Sequence, residues 1–301
     1  MSKLLGKTND YLSLVKFSHT VFALPFALVG YFLGATKEGY GFDIRTFLLM
    51  LACMVFARSA AMAFNRYADH RYDSMNPRTA TREIPSGRIS KRNALIFVII
   101  SSLFFITATA LLNSLTLMLS PVALIVILGY SYTKRFTPLC HLILGLGLSL
   151  APIGAYIAVT GTFALLPVIY SGIVLTWVSG FDIIYAMQDE KFDRQTGLYS
   201  IPAVTSPHKA LLVSIALHIL SALLVVTAGL AGDGGIIYWT GALTFLALLV
   251  YQHSIVKPDD LSRVNLAFGT TNGIAGVLFG ILVITDLLIR YLISLCLPTR
   301  T

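Results

Sequence analysis

Charged residues are scarce in this 301-residue chain. Only 12% of the residues are Asp, Glu, Lys or Arg, about half the share found in a typical soluble domain, whereas 56% are hydrophobic and the mean hydropathy is +0.79. This balance excludes an ordinary soluble protein. The apolar residues come in runs of about 20 without the every-second-residue alternation of outer-membrane strands. We therefore predict an all-α, polytopic membrane protein.

Cysteine is also rare. Cys53, Cys140 and Cys296 lie in or beside apolar segments, at spacings that suit neither a disulfide framework nor a metal site. A cleavable secretory signal is not indicated either. The apolar stretch after the basic N-terminal residues is too long for one and has no clear small-residue cleavage pattern. We expect this stretch to be retained as the first membrane span.

The apolar runs predict about nine spans in a single membrane domain over residues 1–301. Their approximate bounds are 12–36, 45–68, 93–112, 115–133, 140–160, 163–188, 209–230, 235–256 and 264–290. Most of the 22 Lys and Arg residues fall on one side of the membrane if the N-terminus is cytoplasmic. We expect that orientation, in a cytoplasmic (inner) membrane. The net charge of +8 follows from this bias and does not indicate nucleic-acid binding.

Two short stretches, residues 58–92 and 181–203, concentrate the acidic side chains. They contain five Asp residues, out of only 14 acidic residues in the chain. In the first stretch, Asn65, Asp69 and Asp73 stand four residues apart and so share one face of a helix. The second contains Asp182, Asp189 and Asp193. Both stretches lie at predicted cytoplasmic span ends, so we expect them to face each other across one cytoplasm-facing cavity.

Ionisable residues at membrane depth are costly and indicate function by default. Two rows of carboxylates repel each other unless cations hold them together, and a set of oxygen ligands suits Mg²⁺. Mg²⁺ binds through one or two carboxylates and the phosphates of a substrate, so a metal-bridged diphosphate is the predicted ligand. Basic side chains near the two rows fit this interpretation: Arg66, Arg71, Arg78, Arg82, Arg88, Lys134, Arg135, Lys191 and Arg194.

Other interpretations remain open at this point. Charged residues at helix ends are commonly solvated or set topology, and tyrosines there commonly belong to the interfacial aromatic belt. A membrane transporter also uses acidic residues in helices, although it would place isolated acids near the bilayer midplane. An enzyme of phospholipid synthesis that uses a nucleotide-activated alcohol is closer in chemistry. The chain, however, has no D-G-x-x-A-R leading into its acidic run.

Three motifs resemble those of a known family. The first has the form N-x-x-x-D-x-x-x-D and continues into R-T-x-x-R-x-x-P-x-G. The second is Y-x-x-x-K-R, and the third is Y-A-x-x-D-x-x-x-D. The matching residues are Asn65, Asp69, Asp73, Arg78, Thr79, Arg82, Pro85 and Gly87, then Tyr130, Lys134 and Arg135, then Tyr185, Ala186, Asp189 and Asp193. In this order they are similar to the UbiA-type superfamily of intramembrane aromatic prenyltransferases.

Within that superfamily, the segments FALPFAL, ARSAAMAFNR and DIIYAMQDEKFD look like the bacterial 4-hydroxybenzoate polyprenyltransferase group, which includes members associated with menaquinone synthesis. One position departs from the pattern. Arg66 stands where many members have Asp or Glu, which argues against one extra metal ligand there. The four-residue spacing of the acidic row is unaffected.

The resemblance implies an enzyme of quinone biosynthesis. A polyprenyl diphosphate would be held through Mg²⁺ by Asn65, Asp69, Asp73, Asp189 and Asp193. The allylic cation formed on ionisation would then alkylate the ring of 4-hydroxybenzoate or a related hydroxy-aromatic or naphthoate acid. Another acceptor, such as haem, stays open. The isoprenoid tail would lie in an apolar groove open to membrane lipid, and no protein partner is required.

The resemblance also implies roles for other side chains. Asp182 would orient or deprotonate a phenol, and Tyr130 and Tyr185 would shield the cation. The diphosphate oxygens or the acceptor carboxylate would bind to Arg71, Arg82, Lys134, Arg135 and Lys191.

Overall fold

The computed structural model describes residues 9–15 and 22–296. Within these ranges the chain is helical, with one isolated bridge between Lys257 and Asp260. The helices are α1 (Leu24–Phe32), α2 (Ile44–Met75), α3 (Lys91–Leu112), α4 (Ser114–Thr133), α5 (Cys140–Thr160), α6 (Leu165–Ala186), α7 (Glu190–Thr196), α8 (Ile201–Val204), α9 (Pro207–Ala231), α10 (Ile236–Ile255) and α11 (Asn272–Cys296). A π-helical segment, Leu33–Lys37, extends α1, and another, Leu266–Thr271, precedes α11.

Eight helical segments of the described ranges are long and apolar enough to cross a membrane. This confirms the prediction of an all-α, polytopic membrane protein. The first predicted span, 12–36, falls partly on residues 16–21, which lie outside the described residues, and α1 is its described part. The other eight predicted spans coincide with helices. The main difference is α2, which continues to Met75 and so includes the whole row from Asn65 to Asp73.

Polar side chains start several of these helices by satisfying backbone N–H groups that have no partner within the helix. Asp43 accepts a hydrogen bond from the backbone N–H of Thr46 at 2.7 Å, at the start of α2. Asn113 and Thr116 form a reciprocal capping box that separates α3 from α4 by one residue. Such tight turns keep consecutive helices antiparallel and adjacent.

Small residues allow the helices to approach closely, as is common between membrane helices. Gly30 of α1 lies against the backbone of Pro152 in α5, and Gly145 of α5 lies against α6 beside Ser179. On the far side, α1, α6, α10 and α11 share a buried core of aromatic side chains. Trp177 is fully buried in that core, where its indole N–H donates to Asn272 Oδ1 at 2.9 Å. These contacts fix α6, which carries part of the candidate site.

Two adjoining cavities lie within the bundle. One, of about 300 Å³, is lined by polar side chains at one end of the bundle, from the ends of α2, α4 and α6 and the start of α5. The other, of about 340 Å³, is lined mainly by apolar residues of α2 to α5 and reaches toward the opposite end. Both are lined by Arg58, Met62, Tyr130, Leu144 and Leu148. The polar cavity and the apolar cavity therefore adjoin at these side chains.

The close approach of α1 to α5 gives a testable prediction. A Cβ atom added at Gly30 would lie 2.0 Å from the carbonyl oxygen of Pro152, so the two helices must move apart. We expect Gly30→Ala to destabilise the fold by about 1–3 kcal/mol, the usual cost of overpacking. Thermal melting of the detergent-purified protein measures it. Gly129→Ala is the control, because no described atom lies within 4 Å of its added Cβ. Equal melting temperatures for the two variants would contradict this packing.

Candidate active site

The first row lies on the last turns of α2. Because the helix runs unbroken to Met75, Asn65, Asp69 and Asp73 follow one another on the face that lines the polar cavity. The Asn65 side-chain amide donates to Asp69 Oδ2 at 2.9 Å, a contact that four-residue spacing allows on a helix. Asp73 is buried at the end of the row, where Arg82 binds its Oδ1 at 2.6 Å.

The second row straddles a break in the helix. α6 ends at Ala186, a single 3₁₀ turn covers Met187–Asp189, and α7 begins at Glu190. Asp189 lies in this turn and Asp193 in α7, and both line the same cavity as the first row. Asp193 is fully buried and accepts a hydrogen bond from Ser200 Oγ at 2.8 Å. The two rows are thus brought together by structures that differ: a continuous helix and a broken one.

Each of the four carboxylates of the two rows is paired with a different cation. Beside the Asp73–Arg82 pair, Lys134 Nζ lies 2.8 Å from Asp193 Oδ1 and Arg135 Nη2 lies 3.3 Å from Asp69 Oδ1. Arg78 forms two hydrogen bonds with the Asp189 carboxylate. The two neighbours Lys134 and Arg135, at the end of α4, therefore contact opposite rows.

All four cations lie outside the membrane-spanning segments. The environment of two of them, Arg78 and Lys134, keeps them charged. Burial works to lower the pKa of Arg78, but its hydrogen bonds and charge interaction with Asp189 outweigh burial and raise that pKa. Burial likewise opposes the charge of Lys134, and its ion pair with Asp193 raises the pKa of the ammonium above its ordinary value. Both groups are therefore cationic at neutral pH and suited to binding an anion.

Aromatic rings support the charged groups. Arg78 Nη1 donates to the Tyr185 hydroxyl at 2.9 Å, and the Tyr185 ring stacks on Phe268 with centroids 4.2 Å apart. The Arg135 guanidinium lies over the rings of Tyr72 and Tyr132, at 5.5 and 4.7 Å from their centroids. These contacts restrict the side-chain rotamers of both arginines, so less conformational entropy is lost when they bind a ligand.

Most of the side chains predicted from the sequence line the polar cavity. They are Asn65, Asp69, Asp73, Arg82, Tyr130, Lys134, Arg135, Asp182, Tyr185, Asp189 and Asp193. Two do not: Arg71 and Lys191 are exposed and lie outside the lining.

Asn76 and His141 were not predicted. Asn76 donates to Asp189 Oδ1 at 3.1 Å, and His141 contacts Asp182. Neither belongs to the motifs, although a single His at the start of an apolar span is a signal that could have been followed.

The three motifs therefore converge on one polar cavity. Residues 23–292 match the family model described as the UbiA prenyltransferase family. The chain belongs to this family.

Similar proteins come from several organisms. A 4-hydroxybenzoate octaprenyltransferase of Nitrosospira multiformis is 32% identical over 243 residues, which cover 81% of this chain and 83% of that protein. The apo structure of a UbiA homolog from Aeropyrum pernix K1 has a TM-score of 0.77 and 32% identity, over 90% of this chain and 98% of that one. A UbiA homolog from Archaeoglobus fulgidus, solved bound to GPP and Mg²⁺, shares the fold with a TM-score of 0.72 and 20% identity, over 92% and 99%.

The cavity of this UbiA family member suits a hard divalent cation. Its ligands are carboxylate and amide oxygens, and Asp73 Oδ2 is buried without a hydrogen-bond partner. No three His, Cys, Asp or Glu side chains of residues 9–15 and 22–296 converge closely enough to hold an ion alone. Mg²⁺ normally takes only one or two carboxylates and completes its shell with water and phosphate. The residues therefore fit an ion that is shared with a diphosphate.

Arg66 is a buried cation of the cavity that has no ion pair with any described residue. Its side chain is only 4% exposed, its Nε has no hydrogen-bond partner among the described residues, and none of their carboxylates lies within 4.0 Å. Within the described part of the chain, its one polar contact is a long one, 3.4 Å, from Nη1 to Asn65 Oδ1. A buried charge without a counter-ion is unfavourable. We therefore expect Arg66 to bind an anion that enters the cavity.

A matched pair of variants tests this expectation. We expect Arg66→Gln to weaken the binding of inorganic pyrophosphate with Mg²⁺ about tenfold or more, because hydrogen bonds to charged groups contribute about 1.5–3 kcal/mol. The melting temperature without ligand should not fall, since an unpaired buried charge has been removed. Arg71→Gln, on the exposed side of the same helix, should change neither value. Calorimetry and thermal melting measure both. Unchanged pyrophosphate binding by Arg66→Gln would contradict the assignment.

Proposed function

We propose that this protein transfers a polyprenyl group from a polyprenyl diphosphate to the ring of an aromatic acid in quinone biosynthesis. One observation carries the proposal: the polar cavity with its two acidic rows adjoins the apolar cavity, and five side chains line both. A polyprenyl diphosphate has the same division into a charged head and an apolar tail. The allylic carbon, where the two parts meet, would then lie near Tyr130, which lines both cavities.

We assign the metal to the two acidic rows. Asn65, Asp69 and Asp73 would hold Mg²⁺ from one side, and Asp189 and Asp193 from the other. Bound there, Mg²⁺ would neutralise the diphosphate and so assist its departure from the allylic carbon. The Archaeoglobus fulgidus relative, solved bound to GPP and Mg²⁺, supports a divalent metal that acts together with a prenyl diphosphate.

The basic residues have a role in the same step. In the structure, Arg78, Arg82, Lys134 and Arg135 compensate the carboxylates in pairs. When a metal-bound diphosphate takes over the carboxylates, these cations become available to its non-bridging oxygens. They would stabilise the charge that develops on the leaving group as the C–O bond breaks. Arg71 and Lys191 have no part in this proposal, because they lie outside the cavity lining.

The junction of the two cavities would hold the cation. Tyr130 presents its side chain there, and Tyr185 is fixed nearby by Arg78 and Phe268. Aromatic rings stabilise an adjacent positive charge without adding to it as nucleophiles. The apolar side chains of Met62, Leu144 and Leu148 line the same junction and limit the access of water. An intermediate formed there would react with an aromatic ring rather than with water.

The acceptor that we favour is 4-hydroxybenzoate, because relatives such as the Nitrosospira multiformis protein bear that name. A related hydroxy-aromatic or naphthoate acid is the alternative within the same chemistry. Asp182 would bind the acceptor hydroxyl group from the deeper part of the cavity. The transporter considered from the sequence has less support, because the acids lie in paired rows at one end of the bundle and the chain belongs to a prenyltransferase family. Haem as acceptor has no supporting observation.

We further propose that the polar cavity opens to the cytoplasm from a cytoplasmic (inner) membrane. The helix ends and the loop at this end of the bundle carry Arg71, Arg78, Arg88, Lys191 and Arg194, in agreement with the positive-inside rule.

The apolar cavity gives a prediction about chain length. Ala158 lines its far end, near the end of α5 and remote from the acidic rows. We expect Ala158→Phe to lower kcat/KM for long donors such as octaprenyl diphosphate about tenfold or more, because overpacking commonly costs about 1–3 kcal/mol. Geranyl diphosphate, with only two isoprene units, should be used as by the wild type. Ala110→Phe on the exposed side of α3 is the control. Equal losses with both donors would contradict the placement of the tail.

A prenylation assay tests the function itself. Purified protein in lipid is offered labelled polyprenyl diphosphate with 4-hydroxybenzoate and, in parallel, with dihydroxynaphthoates. We expect one class of acceptor to be prenylated, and only when Mg²⁺ is present. Full turnover after treatment with EDTA would show that the metal is not required. If none of the aromatic acids gave a product, the proposed function would be overturned.

The same assay tests variants of the two acidic rows. Asp69→Asn or Asp189→Asn should lower kcat about 100-fold or more, since each removes a charge that is needed where the leaving group is stabilised. Asp259→Asn, in an exposed loop outside the cavity, is the matched control and should retain wild-type turnover. Thermal melting identifies any variant whose loss comes from unfolding. Wild-type rates in a folded Asp69→Asn or Asp189→Asn protein would exclude that row from the site.

A further inference from the structure

A histidine and a carboxylate form a buried pair beside the acidic rows. His141, at the start of α5, is only 2% exposed, and its Nδ1 lies 2.7 Å from Asp182 Oδ2 on α6. Both residues line the polar cavity. The second carboxylate oxygen of Asp182 takes no hydrogen bond from any described residue, and the side chain keeps 21% exposure. His141 therefore contacts one oxygen of Asp182, and the other oxygen has no hydrogen bond from a described residue.

The other nitrogen of His141 determines which tautomer is present. The backbone N–H of Ile201 lies 3.3 Å from His141 Nε2. A backbone N–H can only donate, so Nε2 must accept and carries no proton. The proton of the neutral ring is then on Nδ1, where it is donated to Asp182. The Ile201 amide is available for this contact because it starts the short helix α8 and has no partner within that helix.

The segment between α7 and α8 connects this pair to the second acidic row. Ser200 donates to Asp193, and the backbone N–H of Tyr199 donates to the carbonyl of Lys134 at 2.7 Å. The next residue, Ile201, contacts His141. One extended segment, residues 198–201, therefore fixes the position of a predicted metal ligand and of the imidazole together.

The position of Asp182 suits an acceptor rather than the metal. Asp182 lies on α6 about one helical turn before that helix ends at Ala186, whereas Asp189 lies in the 3₁₀ turn that follows. Asp182 therefore lies deeper in the cavity than the row where the diphosphate would bind. The space between the two carboxylates is where the allylic carbon and an aromatic ring would meet. Among the described residues, no Arg or Lys pairs with Asp182, and its one basic neighbour is the His141 imidazole.

We propose that His141 is a positioning residue: it donates its Nδ1–H to one oxygen of Asp182 and so aims the other oxygen at the hydroxyl group of the aromatic acceptor. This inference rests on the proposed function and deepens it. Without the donor, the carboxylate could rotate away from the cavity or lose its orientation. Asp182 acts on the substrate, and His141 acts only through Asp182.

Prenyl transfer proceeds through the allylic cation. The bond from the allylic carbon to the diphosphate oxygen breaks, its electron pair leaves with the diphosphate, and the ring carbon then forms a C–C bond with the cation. Asp182 takes the hydroxyl proton, which makes the ring more nucleophilic and gives a neutral dienone. The ring carbon then loses its proton to water or to the released diphosphate, and the oxygen regains a proton from Asp182. No oxidant or reductant is required.

Substitutions at His141 separate positioning from proton transfer. In His141→Gln, an amide N–H can donate to Asp182 while the amide oxygen accepts from Ile201, but the side chain cannot relay a proton. In His141→Leu, both contacts are lost. We expect His141→Leu to lower kcat/KM for the acceptor about 10- to 100-fold and His141→Gln to stay within about threefold of wild type. The KM for geranyl diphosphate should stay unchanged in both variants.

A double-mutant cycle gives the decisive result. If His141 acts through Asp182, His141→Leu should cause no further loss in an Asp182→Asn background. A merely structural histidine would lower activity equally in both backgrounds. His218→Leu is the matched control, because His218 is also buried (3% exposed) and hydrogen-bonded but lies outside the polar cavity. It should retain the wild-type ratio of kcat/KM values for acceptor and donor.

Different outcomes would contradict the role of His141 and the proposed function. Additive losses in the double variant, or wild-type acceptor kinetics in a folded His141→Leu protein, would overturn the positioning role and leave the prenyltransferase proposal intact. A large loss in His141→Gln equal to that in His141→Leu would also overturn it, because proton relay would then be required. If His141→Leu does not fold, His141→Met supplies the same comparison. Failure of the wild type to prenylate any aromatic acid would overturn the proposed function itself.

Discussion

The structure depends on charge compensation between two rows of carboxylates enclosed by membrane helices. Four Asp side chains line one cavity, and each is paired with an Arg or Lys from another part of the chain. Unpaired, these charges would repel one another and push the two rows apart. Paired, they form a network that connects the two rows at this end of the bundle.

This arrangement explains why the basic residues come from separate motifs. Arg78 and Arg82 follow α2 in the same loop but contact opposite rows, Asp189 and Asp73. Lys134 and Arg135 do the same from the end of α4. Each basic segment therefore contacts both acidic rows. The two rows are linked through these cations and not through direct contact between carboxylates. A site built from a single helix could not compensate its charges in this way.

The apolar side chains have two roles in this fold: some face lipid, and others hold the helices of the site in place. Most large side chains on the outer surface are apolar and face lipid, whereas the aromatic core around Trp177 fixes α6 from behind. Close helix contacts at Gly30 and Gly145 narrow the bundle on the other side of the site. The apolar cavity adjoins the polar one at the side chains that line both.

The sequence by itself determined the class of protein, the membrane spans and the composition of the site. Hydropathy is a local property of about 20 residues, so span bounds can be predicted without knowing how helices pack. The row from Asn65 to Asp73 could be predicted because helical periodicity alone places its members on one face.

The tertiary structure decided which residues meet. Arg66 and Arg71 are five residues apart, about 140° around α2, and only the packing of that helix determines that the first is buried and the second exposed. The contact between His141 and Asp182 joins residues 41 apart on different helices. Local pattern cannot predict it, because it depends on the depth at which α5 and α6 pack together. The pairing of each carboxylate with its cation has the same origin.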